Sequence, residues 1–239
     1  MNKYRLFVWM IILTLLAGFI NAVSVFCYAG VTVSHVTGLI SKLAISIIAV
    51  DISDGLQLLS LIAAFFVGAV VAGVATGERE FYLHKIYGFI ILAIGVLITV
   101  PLFLESWVSV MLLAFLMGLQ NGMVVSFRGI LVRMTHMTGN LTDIGVYIGY
   151  KIRGNKAEKP VSGLVPAAAI LGFLMGGVIG ILLYKFIGSY VFAAASAVYL
   201  ILGMIYFRLQ KTCVDKDFNG VADDQEMPES IVAEEANQL

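Results

Sequence analysis

The chain has 239 residues, of which 60% are hydrophobic and only 13% charged, and its mean hydropathy is +0.98. A soluble domain of this length cannot bury so much apolar surface, so the composition excludes an ordinary soluble protein and predicts one that sits in a lipid bilayer. The formal net charge of zero says nothing about partners. The basic stretch at 151–159 is typical of a cytoplasmic anchor near anionic lipid, so we expect no nucleic acid partner. The two cysteines have no metal-ligand spacing and predict neither a disulfide framework nor a metal site.

Six apolar runs are long enough to cross the hydrocarbon core, which takes about 20 helical residues. They cover residues 7–28, 56–76, 86–104, 107–127, 164–184 and 189–207. The first run follows Lys3 and Arg5 and has the outline of a signal peptide. It lacks a clear small-residue cleavage site and further apolar runs follow, so it predicts a first membrane span. From Gln210 onwards the chain is polar and acidic, which predicts a disordered or loosely helical tail.

The membrane part of the chain repeats itself. Ser34-His-Val-Thr-Gly38 is matched by Thr135-His-Met-Thr-Gly139, and these two motifs hold two of the three histidines. The match extends to both sides of the motifs: Gly18 with Gly118, Asn21 with Asn121, Gly68 with Gly176. Such a repeat predicts one structural unit used twice, over residues 1–106 and 107–209, followed by the tail at 210–239. Gly68-x-x-x-Ala72 and Gly176-x-x-x-Gly180 could let helices approach closely.

Each copy contains a polar break followed by a short apolar helix, predicted over residues 36–50 and 137–150. At 1.5 Å per residue these motif helices reach about 21–22 Å, less than a full crossing. Residues 29–35 could run extended, so a re-entrant excursion into the membrane and back is feasible where protein or water satisfies the backbone. Full crossing by the motif segments would instead give seven or eight spans.

The basic residues favour six spans with both termini in the cytoplasm. In that topology thirteen of the 15 Lys and Arg residues lie on the side of the termini. Full crossing by both motif segments would instead leave Arg79, Lys85, Arg128, Arg133 and Lys185 outside. Three spans per copy is an odd number, so the two copies enter the membrane in opposite directions. The predicted fold is an all-α integral membrane protein of the cell membrane. It has about six transmembrane helices in two inverted three-helix repeats, each with a short broken or re-entrant motif helix.

The start of each motif helix is a candidate binding site. Thr37 and Thr138 are predicted N-caps that accept hydrogen bonds from backbone N–H groups. Gly38 and Gly139 leave room for another helix or a ligand to approach the backbone. The N-terminus of a half-helix carries partial positive charge and free donors, so these positions suit an anionic group.

Other polar residues of the two copies extend this candidate site. Asn21, Asn121 and Asn140 add amide groups that lipid would leave unpaired. His35 and His136 can exchange a proton near neutral pH and so couple proton movement to a substrate. In the alternative reading, all these residues only hold two interrupted helices together, with the histidines bonded to carbonyl groups.

Lys42 and Asp143 stand at matching positions after the motif glycines, one basic and one acidic. Because each is unfavourable alone at membrane depth, we hypothesise that they face each other or share one cavity. The alternative is that each lies at a helix end and reaches the interface by snorkelling.

The tail contains a second candidate site at residues 215–226, which fits the calcium-loop pattern D-x-[DN]-x-[DN]-G-x5-E. Against it, Ala222 stands where a large aliphatic side chain is usual and Pro228 follows closely, so a chance match is the alternative. No nucleophile–base arrangement, phosphate loop or metal cluster is recognisable in the chain, so we expect neither an enzyme nor a cofactor.

The paired motifs, each preceded by a Gly-x-x-Asn helix, resemble the YoaK-like family of bacterial multi-pass membrane proteins of unknown function. The resemblance covers residues 7–207 and is most specific at 135–143. The first motif departs from the family pattern at Leu39, where the family often has Asn, and at Lys42. The resemblance implies the membrane fold and no established substrate.

Together these features predict a small transporter or permease whose central site is formed by the two motif helices. The predicted solute is a small anion or an anionic metabolite, with proton coupling through a motif histidine. The alternative is a non-transporting membrane sensor or scaffold that acts through its tail. The expected partners are the bilayer and the solute, and self-association into a homo-oligomer is a further option.

Overall fold

The computed structural model describes residues 3–218 except 29, 78–84, 105–106, 124, 128–129, 133, 156 and 158. The helices are α1 (Lys3–Cys27), α2 (Val36–Ile48), α3 (Ile52–Thr76), α4 (Lys85–Leu97), α5 (Trp107–Gly122), α6 (Met137–Ile152), α7 (Val161–Ile187) and α8 (Val191–Phe218). Short 3-10 turns follow α4 at Val100–Leu102 and α7 at Gly188–Tyr190. The regular secondary structure of the described part is helical except for one hairpin of β1 (Val125–Phe127) and β2 (Ile130–Val132), in which Phe127 is paired with Ile130.

The six predicted apolar runs form α1, α3, α4, α5, α7 and α8, and the two motif segments form α2 and α6. The predicted C-terminal end of the span at 107–127 is wrong, because the helix stops at Gly122 and strand β1 follows. Helix α8 continues past Gln210 to Phe218, so the first residues of the calcium-loop pattern are helical and its remainder, from 219, lies outside the described residues.

Within the described residues, four helical stretches are long and apolar enough to cross a membrane: Phe7–Cys27, Ile52–Thr76, Lys85–Leu102 and Val161–Leu209. The last stretch contains both α7 and α8, which are separated by a turn at Gly188 with φ of +56°. Helix α5 is apolar but shorter, with 16 residues. The protein is therefore a membrane-embedded helical protein, as its composition predicted.

Helices of one copy pack on helices of the other. Helix α1 packs on α7, α3 on α5, and α4 on α8. The two halves of the chain are therefore interlocked rather than placed side by side.

The pairing of α1 with α7 depends on glycine. A Cβ atom on Gly18 would lie 2.0 Å from the carbonyl oxygen of Phe173, and one on Gly176 would lie 1.9 Å from that of Leu15. Only glycine permits backbones to approach this closely. Residue numbers rise together along the two helices, so they run parallel: Ile11 is next to Gly172, Leu15 next to Gly176 and Phe19 next to Gly180.

The pairing of α3 with α5 repeats this arrangement with the matching residues of the other copy. A Cβ atom on Gly118 would lie 2.0 Å from the carbonyl oxygen of Phe65, and one on Gly68 would lie 2.1 Å from that of Phe115. The expectation that Gly68 and Gly176 mediate helix pairing is confirmed.

The pairing of α4 with α8 is reciprocal. Gly95 packs against Leu200, and Gly203 packs against Leu92. Gly95 and Gly203 are as far apart in sequence as the matched pair Gly68 and Gly176, and so are Leu92 and Leu200. Residue numbers rise along α4 while they fall along α8, so these two equivalent helices run antiparallel: Gly88 is next to Phe207, Leu92 next to Gly203 and Gly95 next to Leu200.

Each motif helix folds back onto the next helix of its own copy, α2 onto α3 and α6 onto α7. In the first copy, Asp51 caps α3 by accepting from the Asp54 N–H at 3.0 Å, and the Ser46 hydroxyl donates to the Asp54 carboxylate. In the second copy, Gly163 lies against the ring of Tyr147. These contacts fix the C-terminal part of each motif helix against the next helix of its own copy.

Candidate functional site

The N-termini of the two motif helices open onto one cavity of about 400 Å³. Its lining comes from both copies and consists almost entirely of matching pairs: Asn21 and Asn121, Ser34 and Thr135, His35 and His136, Val36 and Met137, Thr37 and Thr138, Phe65 and Phe173, with Thr32 in addition. The cavity is therefore one composite site made of two half-sites.

An asparagine positions the chain that leads into each motif helix. In the first half-site, Asn21 Oδ1 accepts from the N–H of Val33 at 3.3 Å, the N–H of Ser34 at 3.2 Å and the Ser34 hydroxyl at 2.9 Å. In the second, Asn121 Oδ1 accepts from the N–H of Thr135 at 3.3 Å and from no other described residue. In neither case does Nδ2 bond to a described residue, so both amides remain able to donate to a ligand.

The N-cap of each motif helix lies two residues earlier than the sequence suggested. His35 and His136 are the N-cap residues, and neither side chain makes a capping hydrogen bond. Thr37 and Thr138 are the second residues inside their helices, so their prediction as N-caps is wrong. The reason is conformational: an N-cap residue must be non-helical, and the chain leaves helical φ/ψ at the histidines, with ψ of 71° and 60°. The first-turn N–H groups of both helices therefore lack a side-chain cap.

Each motif glycine makes room for the histidine of its own motif. A Cβ atom on Gly38 would lie 2.8 Å from Nδ1 of His35, and one on Gly139 would lie 2.8 Å from Cε1 of His136. Each imidazole thus folds over the first turn of its helix and is held beside the uncapped N–H groups. The space that these glycines provide is filled by an imidazole, rather than by another helix or a ligand.

Five of the predicted site residues are not part of the cavity lining: Gly38, Lys42, Gly139, Asn140 and Asp143. Lys42 and Asp143 are both exposed, and these two described residues form no ion pair with each other. Asn140 is 8% exposed, its Nδ2 has no hydrogen-bond partner among the described residues, and its counterpart Leu39 is buried in the core. The structure therefore brings together the Asn, His and Thr pairs but not the residues further along the motif helices.

Sequence reasoning missed the two phenylalanines. Phe65 and Phe173 both line the cavity. Gly118 packs against the backbone carbonyl group of Phe65, and Gly18 packs against that of Phe173. The internal repeat did mark these two phenylalanines as a matching pair, because each precedes a matched glycine by three residues. Without the packing, however, a phenylalanine in an apolar run is indistinguishable from one that faces lipid.

The cavity is rich in donors and contains no charged side chain. No Lys, Arg, Asp or Glu is found among the described residues that line it. Its polar groups are two amide Nδ2 groups, hydroxyls, two imidazoles and two helix N-termini without a side-chain cap. Donors of this kind, with the positive ends of two helix dipoles, favour an anion. No group of three metal-ligating side chains occurs among the residues that the structure describes.

A family model described as "Protein of unknown function (DUF1275)" matches residues 9–205. The matched region begins in α1 and ends in α8, so it includes both motifs and every residue that lines the cavity. No curated protein and no solved structure matches the chain.

Proposed function

The chain belongs to the DUF1275 family of proteins of unknown function, and from this premise we propose that it is a small membrane transporter or permease for an anionic solute. The observation that carries the proposal is the convergence of two uncapped helix N-termini on one cavity. The family has no assigned substrate, and the finer YoaK-like identity is part of the proposal. The protein acts without enzymatic chemistry, and its partners are the bilayer and the solute.

The proposed architecture is six spans in two inverted repeats. The antiparallel pairing of α4 with its equivalent α8 supports this architecture, because equivalent helices of two repeats in the same orientation would run parallel. The parallel pairs α1–α7 and α3–α5 fit the same scheme when successive spans alternate in direction. Inverted repeats with broken helices near the midplane are a recurrent plan of secondary transporters.

The proposed solute is a small anion or an anionic metabolite. Two helix N-termini provide N–H donors and partial positive charge without the strong attraction of a fixed Lys or Arg. A transporter must release what it binds, so a site that is favourable but uncharged suits translocation. The volume of about 400 Å³ admits a small organic anion and is within the usual range of ligand pockets.

Proton coupling is the finer part of this proposal. His35 and His136 both line the cavity, where an imidazole could pick up or release a proton together with the anion. Proteoliposomes with an internal pH dye would reveal coupled uptake as an anion-dependent pH change. The double variant His35→Gln, His136→Gln should lose this change, and coupling that persists in the double variant would contradict a role for the motif histidines.

The proposed site is tested by thermal unfolding of the purified protein with sodium nitrate, formate, acetate or phosphate. An anion that binds the folded state stabilises it by mass action, by about 2.7 kcal/mol at a hundred times its Kd. Thr138→Val removes a cavity hydroxyl at constant shape, and Thr142→Val is the matched control. Thr142 lies one turn further along the same helix, where its hydroxyl bonds to the Thr138 carbonyl at 3.0 Å.

We expect at least one anion to raise the Tm of the wild type and of Thr142→Val, with a smaller rise in Thr138→Val and in His136→Ala. General salt effects act on all variants alike and cancel in this comparison. Equal shifts in Thr138→Val and Thr142→Val would overturn the site. No shift with any of the four anions in the wild type would overturn the anionic solute.

A second candidate function is a sensor or scaffold that acts through the tail. The observation in its favour is that α8 packs on α4 and then continues as one helix to Phe218, so a rearrangement of the bundle would be transmitted directly to residues 219–239. Deletion of residues 219–239 separates the two functions. A transporter retains its flux after this deletion, whereas a sensor loses its cellular phenotype.

A further inference from the structure

One buried polar cluster lies beside the second half-site. Gln120 on α5 donates through Nε2 to the carbonyl of Leu13 at 2.7 Å and to Sδ of Met134 at 3.5 Å, and its Oε1 accepts from the hydroxyl of Tyr199. All four residues are at most 1% exposed. The side chain of Gln120 thus connects α1, α8 and the chain that leads into α6.

This cluster lies beside the half-site whose asparagine makes fewer hydrogen bonds. We refer to residues 33–34 and 134–135, which precede the two motif histidines, as the lead-in segments. Asn21 holds the first lead-in segment by three hydrogen bonds, whereas Asn121 holds the second by one. Gln120 is adjacent to Asn121 and contacts Met134, so it supplies a second attachment where the asparagine supplies less.

The described residues of the first copy form no such cluster. The residues that match Gln120 and Met134 are Ile20 and Val33, which are at most 1% exposed and have no side-chain hydrogen-bonding group. The residue that matches Tyr199, by the spacing that relates Gly95 to Gly203, is Ile91, also fully buried. A buried polar group is maintained only when its partners satisfy it, so the cluster fixes one arrangement of the second lead-in segment more strictly than apolar packing does.

We propose that Gln120 is a positioning residue for the anion site, which holds the second lead-in segment so that His136 and the N-terminus of α6 stay aimed into the cavity. This inference rests on the proposed function. Gln120 does not line the cavity and acts through Met134 and the neighbouring Asn121–Thr135 contact. The two half-sites therefore differ in how they are held: the first by its asparagine, the second by Gln120 and Asn121 together.

Hydrogen exchange measured by mass spectrometry tests the positioning role without requiring an anion. The double variant Gln120→Leu, Tyr199→Phe removes both partners of the buried bond, which perturbs overall stability less than leaving one of them unpaired. We expect amide exchange in residues 134–141 to become about three- to tenfold faster, while residues 33–40 keep their wild-type rate. Thr14→Val is the matched control, because it removes another fully buried hydrogen bond, from the Thr14 hydroxyl to the Met10 carbonyl at 2.8 Å.

Unchanged exchange in residues 134–141 would overturn the inference, and so would equal acceleration of residues 33–40 or the same effect from Thr14→Val. Nitrate titration of the same variants supplies the functional measurement. We expect the nitrate affinity of the double variant to fall by about three- to tenfold, the factor by which its amide exchange accelerates. Thr14→Val should bind nitrate like the wild type. Faster exchange with unchanged nitrate affinity would show that the cluster does not position the site.

Absence of binding by the wild type would count against the proposed function rather than against this inference. The exchange comparison would then decide alone whether Gln120 holds the segment.

Discussion

The imidazole of His35 lies so close to Gly38 that a Cβ atom at residue 38 would stand 2.8 Å from Nδ1. The same relationship joins His136 with Gly139 in the second copy. In both motifs the spacing His-x-x-Gly therefore allows the N-cap imidazole to fold over the first turn of its own helix. The histidine side chain can take this position because the residue three positions later is glycine. The glycine can have this role without touching the ligand.

Replacement of either motif glycine by alanine should impair binding more than folding. The added methyl group at Gly38 or Gly139 meets a side chain that can turn away, so we expect the imidazole to shift. Loss of a correctly placed donor to an anion should weaken anion affinity about ten- to a hundredfold, since such hydrogen bonds contribute roughly 1.5–3 kcal/mol. Titration of the purified variants with the stabilising anion measures this. Gly145→Ala, which lies on α6 with nothing within 4 Å of the added Cβ, should bind normally, and an equal loss there would contradict the explanation.

Replacement of the crossing glycines should impair folding. In Gly18→Ala or Gly118→Ala the new Cβ would stand 2.0 Å from a backbone carbonyl oxygen, so two helices must separate. We expect the free energy of unfolding to fall by about 2 kcal/mol or more. In the control Gly73→Ala nothing lies within 4 Å, and higher helix propensity should raise stability by up to about 1 kcal/mol. Denaturant unfolding in detergent provides the comparison, and similar stabilities for Gly18→Ala and Gly73→Ala would refute the close crossing.

The two cavity asparagines should differ in their contribution to stability. Asn21→Ala removes three accepted hydrogen bonds and Asn121→Ala removes one. At about 1 kcal/mol per bond, we expect Asn21→Ala to lower the free energy of unfolding by roughly 2–3 kcal/mol and Asn121→Ala by roughly 1 kcal/mol. Thermal unfolding of both variants in one detergent tests this order. A larger loss in Asn121→Ala would mean that the second lead-in segment depends on its asparagine alone.

The proposed inverted arrangement predicts that the loops after the two motif helices lie on opposite sides of the membrane. Single cysteines replacing the exposed residues Ser53 and Ala157 report on these loops, in a background where Cys27 and Cys213 are replaced by alanine. An impermeant maleimide should label position 53 in intact cells and position 157 only after permeabilisation. Labelling of both positions from the same side would exclude inverted repeats, and the reverse pattern would place the termini outside.

The sequence predicted the helices well because their signals are local. Apolar length marks the spans, and the motif helices α2 and α6 begin at Val36 and Met137 as the pattern indicated. Two local predictions were wrong. Thr37 and Thr138 have the side chain of an N-cap but are the second helical residues, two positions after the actual N-caps. The end of the run at 107–127 is strand rather than helix. Element ends depend on neighbours that propensity does not include.

The sequence by itself determined the membrane class, the internal repeat and the composition of the two motifs, because hydropathy and repetition require no knowledge of packing. Only the tertiary structure decided that the two motifs share one cavity, that Phe65 and Phe173 form part of its wall, and that Lys42 and Asp143 stay outside it. It also decided that Gln120 joins α1, α8 and the second lead-in segment. The physical reason is that these contacts join residues far apart in the chain, through glycine crossings between helices of different copies. Their geometry exists only once those helices have packed.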